Sequence, residues 1–244
     1  MSTKNKNYYK DIAKVLSKKN TPLNLILNNP GTFLPREQII NFISYYEVFK
    51  LIKDLPGSIA VVGCYIGNNL FYFSKLLDYF NPHVPDFRCY GFDTFENYDK
   101  NINKKFDLRG INFLKKKSIN FKIDKDLIKK LLKVNNFESP LNEYERTIIY
   151  IGDASKNIKK FKKQEPGVRF KLIEIDTNTF LSTKKSSNEI IDRLVKGGYL
   201  LFRGFGNRYW EGESRVVERI IKKKNLKIVK LENKGRYPAI ILKK

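Results

Sequence analysis

Apolar positions in the first fifty residues recur at helical intervals. Tyr8, Ile12, Val15 and Leu16 form one stripe, and Ile39, Phe42, Ile43 and Tyr46 form another, so the spacing predicts two amphipathic helices. The turn-rich "NNPGTFLP" separates them, and Pro56-Gly57 ends the second. From there the period changes. "SIAVVG" is a short β-branched run of the kind buried in a parallel sheet, and Leu70, Phe73, Leu77 and Phe80 mark a helix after it. "FRCYGFD", "TIIYIGD" and "FKLIEID" predict the second, third and fourth strands. A helix over about Thr183 to Lys196, stopped by Gly197 as a C-cap, leads into a fifth strand, "GGYLLFRG".

Strand alternating with helix predicts parallel strands joined by right-handed crossovers, hence an α/β fold. The final stretch, "NLKIVKLENKGRYPAIILKK", breaks that rhythm and predicts two antiparallel strands around an Asn-Lys-Gly turn. Residues 1–55 are expected to pack on the core or cap the site, and 56–244 to form the main domain. The interval from Asp93 to Thr147 is longer than an ordinary crossover. It is rich in Lys and Asn, includes a predicted helix near Asp124 to Val134, and is expected to form a lid insertion over about 95–145.

Composition narrows the setting. The 244 residues suffice for one sizeable core, and no apolar segment approaches the roughly 20 residues that span a bilayer. "MSTKNKNYYK" has no apolar run behind its charges and does not read as a secretory signal. Cys64 and Cys89 fall in core strands or at their ends, as reduced thiols of a cytoplasmic protein, with neither disulfide nor zinc spacing. The formal charge of +23 leaves a nucleic-acid partner open. Yet it comes from 37 Lys and only 11 Arg, with the lysines scattered, whereas specific phosphate or base recognition favours the planar fork of Arg. Self-association is left open as well.

The chemistry-bearing residues fall at strand ends. "VVGCYIGNN" places Gly63 and Gly67 between the first strand and its helix, where glycine lets backbone approach a ligand and the helix offers free N–H groups. The G-x-x-x-G spacing argues against a nicotinamide dinucleotide. Asp93 ends the second strand, placed either to accept from ribose hydroxyls or to cap a helix at "DTFEN". Asp153, in "IGDAS", stands as an adenine acceptor or as another N-cap. Asp176 ends the fourth strand.

Taken in order, G-x-x-x-G, "YGFDTFENY", "IGDA", "IDTNTFLST" and "GGYLLFRGFG" resemble the macrocin (TylF-type) O-methyltransferases, within the class I S-adenosylmethionine-dependent methyltransferases. The resemblance runs from about Arg36 to the C-terminus and includes "REQIINFISYYEVFKLIKDLPG". It implies a Rossmann-like, seven-stranded, mostly parallel sheet with an antiparallel C-terminal hairpin and helices on both faces. The implied cofactor is S-adenosylmethionine, leaving as S-adenosylhomocysteine. Gly63 and Gly67 would line its methionine part, Asp93 the ribose, and Asp153 with Ala154 the adenine, with Tyr65, Asn68, Thr94 and Asp176 as further cofactor contacts. Asp176 matches the first acid of an Asp-x-Asp-x-Tyr pattern that serves magnesium binding, cofactor contact and catalysis. The implied acceptor is a sugar or a similar polyhydroxylated small molecule.

Departures from the pattern matter as much. The acid of the first strand is Val61 here, the second acid of the fourth-strand pattern is Asn178 with Phe180 in place of Tyr, and the paired aspartates after the fifth strand are Arg203 and Gly204. A hard divalent cation wants carboxylates and waters, so the expectation is that none binds and that the Arg203 guanidinium, paired with Asp176, fills its region. Asp176 is then the candidate base, and Arg203 lowers the pKa of the acceptor hydroxyl in place of a metal. Asn178 and the loop "FGNRYWEGES", with Arg208, Tyr209 and Trp210, are candidate acceptor contacts; the alternative is a helix-entry loop with Trp210 packed inward. His83, in "NPHVPD", is expected at the opposite edge of the sheet, out of reach. The competing readings are an RNA methyltransferase, favoured by charge, and a non-catalytic relative that binds the cofactor without turnover.

Overall fold

The computed structural model describes residues 3–98, 102–119, 122–224, 226–231 and 240–244. The sheet has seven strands in the order β3-β2-β1-β4-β5-β7-β6, with β1 Ser58–Val62, β2 Cys89–Asp93, β3 Thr147–Ile151, β4 Phe170–Ile175, β5 Leu194–Phe202, β6 Lys227–Val229 and β7 Ile240–Lys243. The first five are parallel, while β7 runs antiparallel to both β5 and β6. This is the α/β architecture expected from the sequence, C-terminal antiparallel pair included; the Asn-Lys-Gly turn itself lies outside the described residues. The strand order reverses between β1 and β4, the point where doubly wound sheets open a crevice at their carboxyl ends.

Alternation along the strands divides the core. Ala60, Val62, Phe92, Ile173, Ile175 and Phe202 point to one side, against α8 (Ala154–Gln164), α9 (Phe180–Ile190) and α10 (Glu211–Lys224). Ile59, Val61, Leu172 and Leu201 point to the other, against Tyr45, Val48 and Phe49 of α4 (Arg36–Ile52) and Leu70, Phe73 and Leu77 of α5 (Asn68–Phe80). Cys64 and Cys89 are buried free thiols on this second side. Among the described residues no helix is long and apolar enough to cross a membrane.

Two expectations need correction. Two N-terminal helices were expected, but α1 (Thr3–Lys19) and α4 are separated by two short helices, α2 (Leu23–Asn28) and α3 (Pro30–Phe33), because Pro30 takes the first helical position inside the presumed turn. The helix before β5 ends at Ile190 and passes through a 3-10 turn, Ile191–Arg193. Gly197 therefore sits inside β5 at φ +78°, not at a helix cap, because Leu194 already pairs with Phe170 and the register shifts before Leu172 meets Tyr199. The long interval also splits in two. One helix, α7 (Lys125–Glu138), fills a place beside β3, where Asn135 donates to Ser74 and Thr147. The other, α6 (Lys104–Lys117), which the apolar pattern did not reveal, lies against α10.

Candidate functional site at the carboxyl edge of the sheet

Register brings the strand-end residues to one level. Val62 pairs with Phe92 and with Ile175, and Ile175 with Phe202, so Gly63, Asp93, Asp176 and Arg203 each stand one residue past these partners. The main chain confirms it: Gly63 N donates to Phe92 O at 2.9 Å, Asp176 N to Val62 O at 2.8 Å and Arg203 N to Ile175 O at 3.3 Å. Equal register on parallel strands puts these side chains on the same side of the sheet. Asp153 stands two residues beyond Ile151, the partner of Asp93. His83 precedes β2 in the connection from α5, at the opposite edge, as expected.

The loop after β1 is held tightly. Gly63 has φ +89°, and a Cβ there would lie 2.3 Å from Asp176 O, so glycine is required by the approach of two main chains. Tyr65, at φ 53° and 47% exposed, donates its N–H to Asp93 Oδ2 at 2.9 Å. Phe95 N donates to Asp93 Oδ1 at 2.7 Å. With the N–H of Cys64 also drawn to it, the Asp93 carboxylate keeps about one of its four lone-pair positions beyond its main-chain bonds. Burial raises its pKa, against the pull of the N–H groups of Phe95, Tyr65 and Cys64. Thr94, through Oγ1, accepts from Glu96 N at 3.2 Å. Asp153 accepts from Lys156 N at 2.9 Å, so it does cap α8. Gly67 is the N-cap of α5 with φ +90°, and Asn68 opens that helix.

Arg203 lies between two carboxylates. Its Nη1 is 3.0 Å from Asp176 Oδ2, the pair expected from the sequence, and its Nε is 3.9 Å from Glu174 Oε1. Glu174 was not foreseen. It is fully buried, accepts from Tyr45 Oη at 2.7 Å and Asn69 Nδ2 at 2.9 Å, and burial pushes it up to about 7 despite the pull of Arg203. Its register partner on β1 is Val61, the position where the resemblance expects an acid. A carboxylate therefore stands beside that position, on the neighbouring strand. The available signal was an acid inside the apolar run "FKLIEID".

Glu213, on α10, was also missed. Fully buried, it accepts from Gly204 N at 2.6 Å and Asn178 N at 3.1 Å, tying the loops after β5 and β4 together. Burial, then the charge of Asp176, pushes it up to about 8. A Cβ on Gly204 would sit 2.8 Å from Glu213 Oε2. Glycine at a position expected to be acidic therefore makes room for an acid arriving from a helix. Only distance in the sequence hid it.

Of these three acids only Asp176 reaches solvent, with its side chain 22% exposed beside an Arg203 at 23%. Asn178 has φ 59°; its Nδ2 is 3.5 Å from Asp176 Oδ1 and donates to Tyr98 Oη at 3.0 Å. Tyr98 meets the Trp210 ring at 5.1 Å. Trp210 is 6% exposed, and a Cβ on Gly110 would touch its ring at 2.6 Å, so it packs inward and is corrected from acceptor contact to packing residue. Tyr209 stacks on Phe113 at 4.0 Å, and Arg208 is exposed above it. Among the described residues no three His, Cys, Asp or Glu side chains group closely enough to hold a metal.

No protein-family model and no curated protein matches the sequence. Solved structures do match the fold. CalS11, a calicheamicin methyltransferase, is 21% identical with a TM-score of 0.84 over 100% of this chain and 93% of that one. The apo structure of CalS11, a TDP-rhamnose 3'-O-methyltransferase of calicheamicin biosynthesis, gives 0.80 at 21% identity over 100% and 95%. The O-methyltransferase NovP gives 0.60 at 13% identity over 86% and 79%. Identities this low speak for the fold alone and do not distinguish the macrocin type within it. The chain has the Rossmann-like fold of these methyltransferases.

Proposed function

We propose that this protein is an S-adenosylmethionine-dependent O-methyltransferase acting on a sugar or similar polyhydroxylated small molecule, without a divalent metal. The observation that carries the reading is the single level shared by Gly63, Asp93, Asp176 and Arg203 at the switch point of the sheet. The residues there suit a nucleoside: Asp93 retains a lone pair for a ribose hydroxyl, and Asp153 lies further along beside Ala154. When bound, S-adenosylmethionine supplies an electrophilic methyl group on a sulfonium centre.

The protein's own residues then have two tasks. Gly63, Tyr65, Gly67, Asn68 and Thr94 shape the loops against which donor and acceptor are held in line, an arrangement worth several kcal/mol in favourable cases. Asp176 takes the proton of the acceptor hydroxyl, being the acid of its group that solvent reaches. Arg203 stabilises the developing alkoxide as a fixed cation; its bond to Asp176 Oδ2 also leaves little room for a metal on that oxygen. Asn178 and Tyr209, beside Asp176 and in the loop after β5, are the proposed acceptor contacts. The sugar acceptor is supported by the fold neighbour described as acting on TDP-rhamnose.

Calorimetry with S-adenosylhomocysteine in the presence of EDTA tests the reading. Stoichiometric binding is expected, weakened about tenfold or more in Asp93→Ala, consistent with loss of charge-assisted hydrogen bonds. Asp176→Asn should keep that binding and lose methyl transfer to sugar acceptors. Failure of the wild-type protein to bind would overturn the methyl-donor assignment, and tight stoichiometric magnesium binding would overturn the metal-free one.

A further inference from the structure

Two arginines from different elements converge on one aromatic ring. Arg109 of α6 and Arg208 of the loop after β5 place their guanidinium carbons 5.8 and 4.7 Å from the centroid of Tyr209. Phe113 is stacked on that ring at 4.0 Å and 20°, which removes one face from use. Both arginines are exposed, and among the described residues neither has a carboxylate or carbonyl within bonding distance. They differ in this from Arg146, Arg169, Arg193, Arg203 and Arg215, each held by acids or main-chain carbonyls.

The approach is built into the fold. Asp107, two residues before Arg109, is fully buried and accepts from Phe180 N, the first residue of α9, at 3.0 and 3.2 Å. A Cβ on Gly212 would lie 2.2 Å from Asp107 Oδ1, so α6 and α10 are pressed together there. On the other side, Asn207 Oδ1 accepts from Tyr209 N at 2.9 Å and Asn207 O from Trp210 N at 3.1 Å, fixing the loop. Both guanidiniums thus lie within about 6 Å of one ring, and among the described residues neither has an anion of its own. An oxyanion supplies the counter-charge both lack, because each planar fork can take two of its oxygens. The pair is joined to the reaction edge through Trp210, Tyr98 and Asn178 to Asp176.

We propose that Arg109 and Arg208 grip the diphosphate of a nucleoside diphosphate sugar whose sugar hydroxyl reaches Asp176. The proposal rests on the methyltransferase reading and gives its acceptor a chemical class. A neutral glycoside would leave the two charges unrelieved; a phosphorylated one uses them as its anchor.

Binding of thymidine diphosphate to the full chain, measured by calorimetry at near-physiological salt with and without S-adenosylhomocysteine, is the test. Saturable one-to-one binding is expected, weakened about tenfold or more by either Arg109→Ala or Arg208→Ala, as loss of a charge-assisted bond requires. Arg109→Lys and Arg208→Lys keep the charge, lose the fork, and should weaken it nearly as much. Affinity for S-adenosylhomocysteine should stay unchanged in all four variants, which also shows that they fold. Absence of diphosphate binding in a protein that binds S-adenosylhomocysteine, or diphosphate binding untouched by the double alanine variant, overturns the grip and leaves the methyl-donor reading standing. Failure to bind S-adenosylhomocysteine sinks that reading instead.

Discussion

Single carboxyl groups decide how the site edge behaves. Glu213 is the sharpest case, because its pKa is pushed up to about 8 from an ordinary 4.5 while it holds the main chains of the loops after β4 and β5. The native state therefore keeps this proton at pH values where the unfolded chain releases it. Its stabilising contribution is complete below about pH 4.5 and is lost as pH rises through about 8. Glu213→Gln cannot ionise, so the variant lacks that slope. Thermal melts from pH 5 to pH 9 should show the wild type losing stability relative to the variant by up to about 1.4 kcal/mol per pH unit. A difference between them that stays constant across pH would mean that Glu213 is ionised throughout and that the argument from burial fails. Glu174, pushed up to about 7, adds a slope of the same sign to both proteins and cancels in the comparison.

At the scale of elements, what the sequence made legible followed from periodicity. The five parallel strands and the terminal antiparallel pair were readable because short apolar runs bounded by glycine, acid or turn residues have few other fates. Asp93, Asp176 and Arg203 were readable for the same reason: they terminate those runs. Glu213 and α6 were not. The first comes from the helix that follows β5 and not from a strand end, and the second has the weak apolar stripe of a helix that touches the core at Asp107, Gly110 and Ile111. The opposite edge of the sheet holds another unforeseen residue, Arg146. Its Nε donates to Asp78 Oδ1 at 2.7 Å, and its Nη1 to Val84 O and Phe87 O at 2.8 and 2.7 Å, knitting the connection between α5 and β2 to the start of β3. With the arginine side chain 1% exposed and Asp78 at 13%, removing the cation strands a partly buried carboxylate and two carbonyls. Arg146→Ala should cost about 3–5 kcal/mol in denaturant unfolding. Its S-adenosylhomocysteine affinity at low temperature should be unchanged, because this edge is remote from the binding loops. A cost below about 1 kcal/mol would show that the pair is solvated like a surface bridge.

On the whole molecule, the charge of +23 and the character of the site oppose one another. Asp93, Glu174, Asp176 and Glu213 gather at one edge with Arg203 as their close cation, and burial pushes Glu174 and Glu213 toward their neutral forms, so the neighbourhood of the proposed donor site is rich in carboxyl groups in a strongly basic protein. The two fields should separate on titration with salt. Scattered lysines bind any polyanion through counterion release, and a complex using 6–10 phosphate contacts loses about 10³–10⁵ in affinity between 50 and 200 mM salt. Charges paired at 3–4 Å inside a half-buried cleft are screened far less, because the Debye length still exceeds their separation. Anisotropy with a labelled RNA and calorimetry with S-adenosylhomocysteine, run over the same salt series, should therefore diverge. RNA affinity is expected to collapse and to show no preference among sequences, while S-adenosylhomocysteine binding shifts by less than about threefold. The charge would then be a property of the surface and not of the substrate. RNA binding that persists at the higher salt, together with methyl transfer to a defined base or ribose, would transfer the protein to the nucleic-acid methyltransferases, with Arg109 and Arg208 holding backbone phosphates in place of a diphosphate.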